Sequence, residues 1–234
     1  MPQYLSLLTT MPRNNTAIKA IAFDFDGLMF NTEDLWDVVT KTLLARRDRE
    51  PSGEFTRQVT GRPARIALPM LLEWFELDDT VDQIQAEIDS LFDELLPNHL
   101  APMPGLRSLL CSIEAASLPR AITTSSSRSF IENVIGVSKL MTEFEFFLTA
   151  ESVSEGKPNP EIYLAAAERF GISPSEMMVL EDSENGCRAA TAAGAFVVAV
   201  PTHATASHDF AKVQFVANTL EDPRIHEAIG ISPA

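Results

Sequence analysis

Asp24 and Asp26 stand two residues apart at the end of an apolar run, Ile-Ala-Phe-Asp-Phe-Asp, which breaks at Gly27. Side chains at i and i+2 of a strand share a face. Both carboxylates therefore point toward one crevice at a strand's C-terminal end, where open α/β sheets bind ligands. Two neighbouring carboxylates repel unless a cation or a shared proton relieves them. The pair marks a metal site, an acid–base couple, or both. Further polar groups follow later apolar stretches: Thr123, Thr124, Ser125, Ser126 and Ser127, then Gly156, Lys157 and Pro158, then Glu181, Asp182 and Ser183. If those stretches are parallel strands, acids, hydroxyls and one amine meet along a single sheet edge.

The elements that must position these groups are readable from periodicity. Residues 18–25 form a near-continuous apolar run, as expected of a strand covered on both faces. Helical spacing follows over 33–47, 64–75 and 81–95, with no strand between, and the Pro-rich stretch 97–105 reads as a hinge. Beyond it the chain alternates. Helices at 106–115, 129–135, 161–170 and 185–193 lead to strands at 120–124, 146–149, 177–180 and 195–200, and a last strand at 213–216 precedes a short helix. This alternation predicts an α/β fold, a Rossmann-like parallel-sheet core with an inserted all-helical cap. The expected division is a core of residues 18–30 and 101–234, a cap of 31–100, and a disordered lead-in of 1–17.

Composition narrows the partners. The chain has 234 residues and a formal net charge of −15. A nucleic acid or an anionic membrane demands a basic surface, so neither is expected. No apolar run reaches the ~18 residues of a membrane span, and residues 1–17 lack a basic start and a cleavage site, which reads as cytoplasmic. Cys111 and Cys187 sit in helical patterns without Cys/His metal spacing and read as two reduced, buried thiols.

The order of the four polar clusters resembles the haloacid dehalogenase superfamily, from about residue 18 to residue 201. The first motif stands as Asp24-Phe25-Asp26-Gly27, the second as the strand ending near Ser125, the third as Lys157 and the fourth as Glu181-Asp182. The position of the insert and the Gly-Lys-Pro-Asn-Pro and Glu-Asp-Ser stretches resemble the branch of sugar-phosphate phosphatases and β-phosphoglucomutases. The resemblance implies a Mg²⁺-dependent phosphatase of a small phosphorylated metabolite. Asp24 would form an aspartyl-phosphate. Asp26 would protonate the leaving oxygen and then deprotonate water. Lys157 would bridge Asp24 and the phosphoryl group. The metal set implied is Asp24 and Asp182 by carboxylate, Asp26 by its backbone carbonyl, and Glu181 directly or through water. Phosphate would lie against the Ser125 hydroxyl, or Thr124 one register earlier, and against the backbone N–H groups of Ser126 and Gly27.

Each motif also has a plainer reading: a solvated loop, a helix cap at Asp182-Ser183-Glu184, an ordinary serine turn, a surface lysine. Substrate choice falls to the cap, where Arg62 and Arg65, with Arg128 beside the serine run, are the candidate contacts. Two positions depart from the resemblance. Trp36 occupies the place of a mutase histidine, which favours hydrolysis over the alternative of a phosphohexomutase, and Asn31 replaces an aspartate at the hinge. A non-enzymatic phospho-acceptor domain is the rival from another class. His99, His203, His208 and His226 fit no motif. Sugar phosphates, phosphoglycolate, nucleotides and pseudouridine phosphate all remain open as substrates, and the protein is expected as a monomer or weak dimer.

Overall fold

The computed structural model describes residues 17–140 and 143–231. The expected lead-in lies, apart from Ala17, outside the described residues. Among the described residues six strands form one sheet: β1 (Ala20–Phe23), β2 (Arg120–Thr123), β3 (Phe146–Leu148), β4 (Met177–Glu181), β5 (Phe196–Ala199) and β6 (Phe215–Val216). Their order is β3-β2-β1-β4-β5-β6, and every neighbouring pair is parallel. The chain thus builds outward from β1 in one direction through β2 and β3 and in the other through β4, β5 and β6. The carboxyl end of β1, between β2 and β4, is the switch point at which such sheets bind ligands.

Alternate strand residues supply two separate cores. Ile21, Phe23, Ile122, Met178, Leu180 and Val198 face α5 (Leu106–Ala115), α6 (Arg128–Ser138) and α9 (Pro223–Ala228). Ala22, Val179 and Val197 face α7 (Glu161–Phe170) and α8 (Glu184–Ala193). Four helices fill the interval between β1 and α5: α1 (Thr32–Ala45), α2 (Gly53–Val59), α3 (Ala64–Trp74) and α4 (Val81–His99). Leu35, Val39 and Leu43 on α1 meet Ile84, Ile88 and Leu91 on α4 in one apolar cluster. A Thr80–Gln83 capping box satisfies orphan donors at the start of α4.

Three local expectations differ from the structure. The segment 53–59, unassigned from periodicity, is helix α2, started by Ser52, whose hydroxyl accepts the N–H of Phe55 at 3.3 Å. Helix α4 runs through Pro97 to His99 rather than stopping at 95. A proline in the last turn forfeits a single hydrogen bond, and fully buried Leu96 holds that turn in place. Cys187 is buried as expected, but Cys111 is exposed, because its helix buries the face carrying Leu106, Leu109, Leu110 and Ile113 instead.

The hinge is held by Asn31. Its amide nitrogen donates to the carbonyl of His99 at 3.1 Å while its amide oxygen accepts the N–H of Ala101 at 2.7 Å. An aspartate could accept but not donate, so the asparagine ties the outgoing and returning chains together with two bonds instead of one.

Candidate active site

Asp24 follows β1 directly, and its N–H donates to the carbonyl of Leu180 on β4. This backbone bond sets the carboxylates of Asp24 and of the Glu181-Asp182 pair side by side. One oxygen from each of Asp24, Glu181 and Asp182 lies within 4.8 Å of the others, and all three residues are buried. Lys157, in the loop after β3 and followed by a cis Lys157–Pro158 bond, reaches the same point. Its ammonium donates to Asp24 Oδ1 at 2.5 Å, to Glu181 Oε1 at 2.6 Å and to the carbonyl of Thr123 at 3.0 Å. All three of its protons are committed.

Three buried carboxylates thus share the neighbourhood of one buried cation, which bonds two of them. Burial, then Glu181, raises the Asp24 carboxyl well above the usual carboxylate range, although Lys157 opposes this. Asp182 is raised by burial, then by Glu33 and Asp24. Burial would lower Lys157, but Asp24 and Glu181 outweigh it and hold the ammonium charged. One lysine cannot balance this charge. Asp182 Oδ2 is buried without a hydrogen-bond partner, and a buried polar atom without a partner is costly. A hard divalent cation with oxygen ligands answers both deficits. The donor set, carboxylates only and no sulfur or imidazole, fits Mg²⁺.

Glu181 has less to offer a metal than Asp24 or Asp182. Oε1 receives Lys157 and the Tyr163 hydroxyl at 2.8 Å; Oε2 receives the Ser183 N–H at 3.1 Å and its hydroxyl at 3.0 Å. This carboxylate fixes the lysine. Tyr163 had no signal beyond its helical spacing in α7.

Asp26 lies outside the trio. Its Oδ2 accepts the Ser126 hydroxyl at 2.5 Å and the Thr124 hydroxyl at 3.3 Å, and its Oδ1 has no partner. Burial raises its carboxyl, and the hydroxyls of Ser126, Thr32 and Thr124 offset part of that rise. The result is a carboxyl poised to hold or release a proton.

Several expected phosphate donors are otherwise engaged in this structure. The Ser125 hydroxyl donates to the carbonyl of Gly61 at 2.9 Å. The Ser126 N–H donates to Thr124 Oγ1 at 3.0 Å, and the Gly27 N–H to Thr32 Oγ1 at 3.1 Å. Gly27 adopts a φ of 72°, and a Cβ there would lie 2.7 Å from Asp182 Oδ2 and 2.8 Å from Glu33 Cγ. Glycine is therefore required both for the turn and for the close approach of these two acids. Glu33, absent from the residues chosen by sequence, is a further acid of the site. Burial, then Asp26, Asp37 and Asp34, pushes its carboxyl to about 8. Its signal was position alone, at the start of the helix that follows the first motif.

The helical insert touches the core at this point. Besides the Ser125–Gly61 bond, the Asn185 amide donates to the carbonyl of Thr60 at 2.9 Å. Arg65, expected to meet substrate, instead donates to the carbonyls of Ala150 and Ser154 at 3.0 and 3.1 Å. Arg128 is 3.7 Å from Glu132 on its own helix, and its N–H meets the Glu151 carboxylate. Of the three arginines only Arg62 lines the cavity between insert and sheet. That cavity has a volume of about 470 Å³ and runs from Asp24, Asp26 and Asp182 to the walls of α1, α2, α3 and α4.

A parallel sheet whose switch point gathers acids, hydroxyls and one lysine beneath an inserted helical segment places the chain among the Rossmann-like α/β proteins. It belongs to the haloacid dehalogenase-like hydrolase family, whose pattern it matches over residues 21–200. It is 30% identical over 214 residues to a bifunctional riboflavin kinase/FMN phosphatase of Arabidopsis thaliana, covering 91% of this chain but only 56% of the plant protein. A phosphorylated carbohydrates phosphatase of Thermotoga maritima is 30% identical over 76% of this chain and 82% of its own length. A probable pseudouridine-5'-phosphatase of Drosophila melanogaster is 34% identical over 76% and 80%. In three dimensions the chain superposes on CbbY from Rhodobacter sphaeroides in complex with phosphate, with a TM-score of 0.77 at 23% identity, over 88% of this chain and 96% of that one. Among the described residues no helix is long and apolar enough to cross a membrane.

Proposed function

We propose that this protein is a Mg²⁺-dependent phosphomonoesterase acting on a small phosphorylated metabolite, with residues 31–100 as its cap. One observation carries the reading: three buried carboxylates converge on one point, two of them held by Lys157, and Asp182 Oδ2 is left unpartnered. Asp24 and Asp182 would hold the metal by carboxylate, Asp26 by its carbonyl, and Glu181 through water. Bound there, Mg²⁺ would neutralise negative charge that otherwise keeps a carboxylate and a phosphate dianion apart.

The chain's own residues do the rest. A carboxylate oxygen of Asp24 forms a bond to phosphorus as the ester P–O bond breaks, giving an aspartyl-phosphate. Asp26 delivers its proton to the leaving oxygen, then accepts one from the water that cleaves the intermediate. Its raised carboxyl suits both duties. Lys157 stabilises charge developing on the transferred group, exchanging one of its three present contacts to do so. Burial of the centre beneath the 60–65 loop excludes bulk water.

The relatives named as phosphatases support hydrolysis, and so does Trp36. Its ring lies 4.5 Å from Phe92 and 6.2 Å from Phe130, edge-on and tilted. An indole packed this way supplies no titrating proton where a mutase would need one. The test is phosphate release from p-nitrophenyl phosphate. Release should require Mg²⁺, stop on chelation and vanish in Asp24→Asn; turnover that survives either treatment overturns the reading.

A further inference from the structure

We infer that the alcohol released by this enzyme is an uncharged body of ring size with an apolar face, and that substrates bearing a second phosphate are rejected. This inference rests on the phosphomonoesterase reading and names its substrate class. A cavity of about 470 Å³ is far larger than a phosphoryl group requires, so most of it receives the alcohol. Away from the carboxylates its walls are largely apolar: Trp36, Phe55, Leu68, Leu71, Ile88 and Phe130. Trp36 of the insert and Phe130 of the core both pack on Phe92, with Phe92 and Phe130 centroids 5.1 Å apart, so one aromatic wall spans insert and core.

Such walls reward apolar surface removed from water. They offer few partners to a ring bearing hydroxyls on every carbon, and a buried hydroxyl without a partner is costly. Polar groups do line one side, and four of them are paired with one another. Gln85 donates to Asp89 at 2.8 Å, and Lys41 lies 3.7 Å from Asp37. A distal phosphate entering the cavity would meet the carboxylates of Asp37 and Asp89. Of the two cations on the wall, Arg62 alone would remain to compensate a dianion. Like charges at that range disfavour binding.

The test compares kcat/KM of the Mg²⁺-loaded protein for four esters, each with a phosphate on a primary alcohol and the sugars followed by loss of the C6 phosphate so that the leaving oxygen is alike: cyclohexylmethyl phosphate, phenethyl phosphate, glucose 6-phosphate and glucose 1,6-bisphosphate, with ethyl phosphate as a small reference. The two apolar esters should exceed glucose 6-phosphate by about tenfold or more, and the bisphosphate should fall at least about tenfold lower again. In Ala67→Phe, which adds a ring to the cavity wall on α3, the ratio of cyclohexylmethyl to ethyl phosphate turnover should drop by about tenfold. Equal or faster turnover of glucose 6-phosphate or its bisphosphate overturns the inference and leaves the phosphatase reading standing. Release from none of the esters overturns both.

Discussion

The Cα of Gly186 faces the Glu181 carboxylate so closely that a Cβ there would lie 1.7 Å from Oε1 and 2.0 Å from Cδ. Gly186 is the third residue of α8, and its N–H caps onto Ser183 Oγ at 3.1 Å. The absence of a side chain lets the helix start directly against the carboxylate that holds Lys157. Gly186→Ala should therefore destabilise the fold by about 3 kcal/mol, in the upper range for overpacking a filled site, and should lower phosphatase activity in the protein that remains folded. Urea denaturation and a turnover assay at matched folded fraction check this.

Lys157 is the sole cation of a buried cluster with Asp24 and Glu181. Removing one partner of such a cluster typically costs about 3–5 kcal/mol. Lys157→Met should lose stability of that order at neutral pH and less at pH 5, where Asp24 takes up a proton more readily. Denaturation midpoints at the two pH values provide the comparison, and activity should be lost throughout.

Glu33 gives the metal-free protein a pH signature. Its carboxyl is raised from an ordinary 4.5 to about 8, chiefly by burial. A group whose folded pKa is raised contributes stability that is full below its unfolded value and is lost as pH rises through the folded value. Stability of the chelated protein should decline between pH 4.5 and 8, and Glu33→Gln, neutral throughout, should flatten that slope. Thermal melts across the range decide it.

Magnesium should raise the melting temperature, because a ligand that binds only the folded state stabilises it by mass action, about 2.7 kcal/mol at a hundredfold excess over Kd. In Asp182→Asn, which removes the charge from the carboxylate carrying the unpartnered Oδ2, the Mg²⁺-induced shift should disappear while the metal-free melt is retained or raised. A melt series with and without Mg²⁺ tests this independently of any substrate.

Residues 60–65 are tied to the core by four hydrogen bonds, one each from Ser125 and Asn185 and two from Arg65. Each such bond contributes about 1 kcal/mol. Asn185→Ala and Arg65→Ala should each lower kcat/KM by about three- to tenfold by loosening closure of the proposed cap, with global stability lowered by no more than about 1 and about 2 kcal/mol respectively. Steady-state kinetics beside denaturation curves separates the two effects.

Much of this was legible in the residues. Asp24, Asp26, Lys157 and Asp182 each follow an apolar strand, and a parallel sheet has only one edge where such residues can end up. Helix α7, Glu161–Phe170, was bounded by Pro160 before it and Gly171 after it. Helix α2 was missed because seven residues carry too little periodicity, although Ser52 and Glu54 mark its start. The partners of Arg65 were not legible, because an arginine near a site has the same sequence signature whether it grips a ligand or two carbonyls of a neighbouring loop.

Periodicity and strand-end chemistry are local, so the sequence by itself determined the parallel core, the inserted helices and the acids and lysine at the strand ends. Only the tertiary structure decided what each group spends its hydrogen bonds on: that Glu181 is saturated by Lys157, Tyr163 and Ser183, that Asp182 keeps an unpartnered oxygen, and that Glu33 joins the cluster. Those outcomes depend on distances between residues remote in sequence, such as Glu33 and Asp182, set by how helices and strands pack in three dimensions, and no spacing along the chain encodes them.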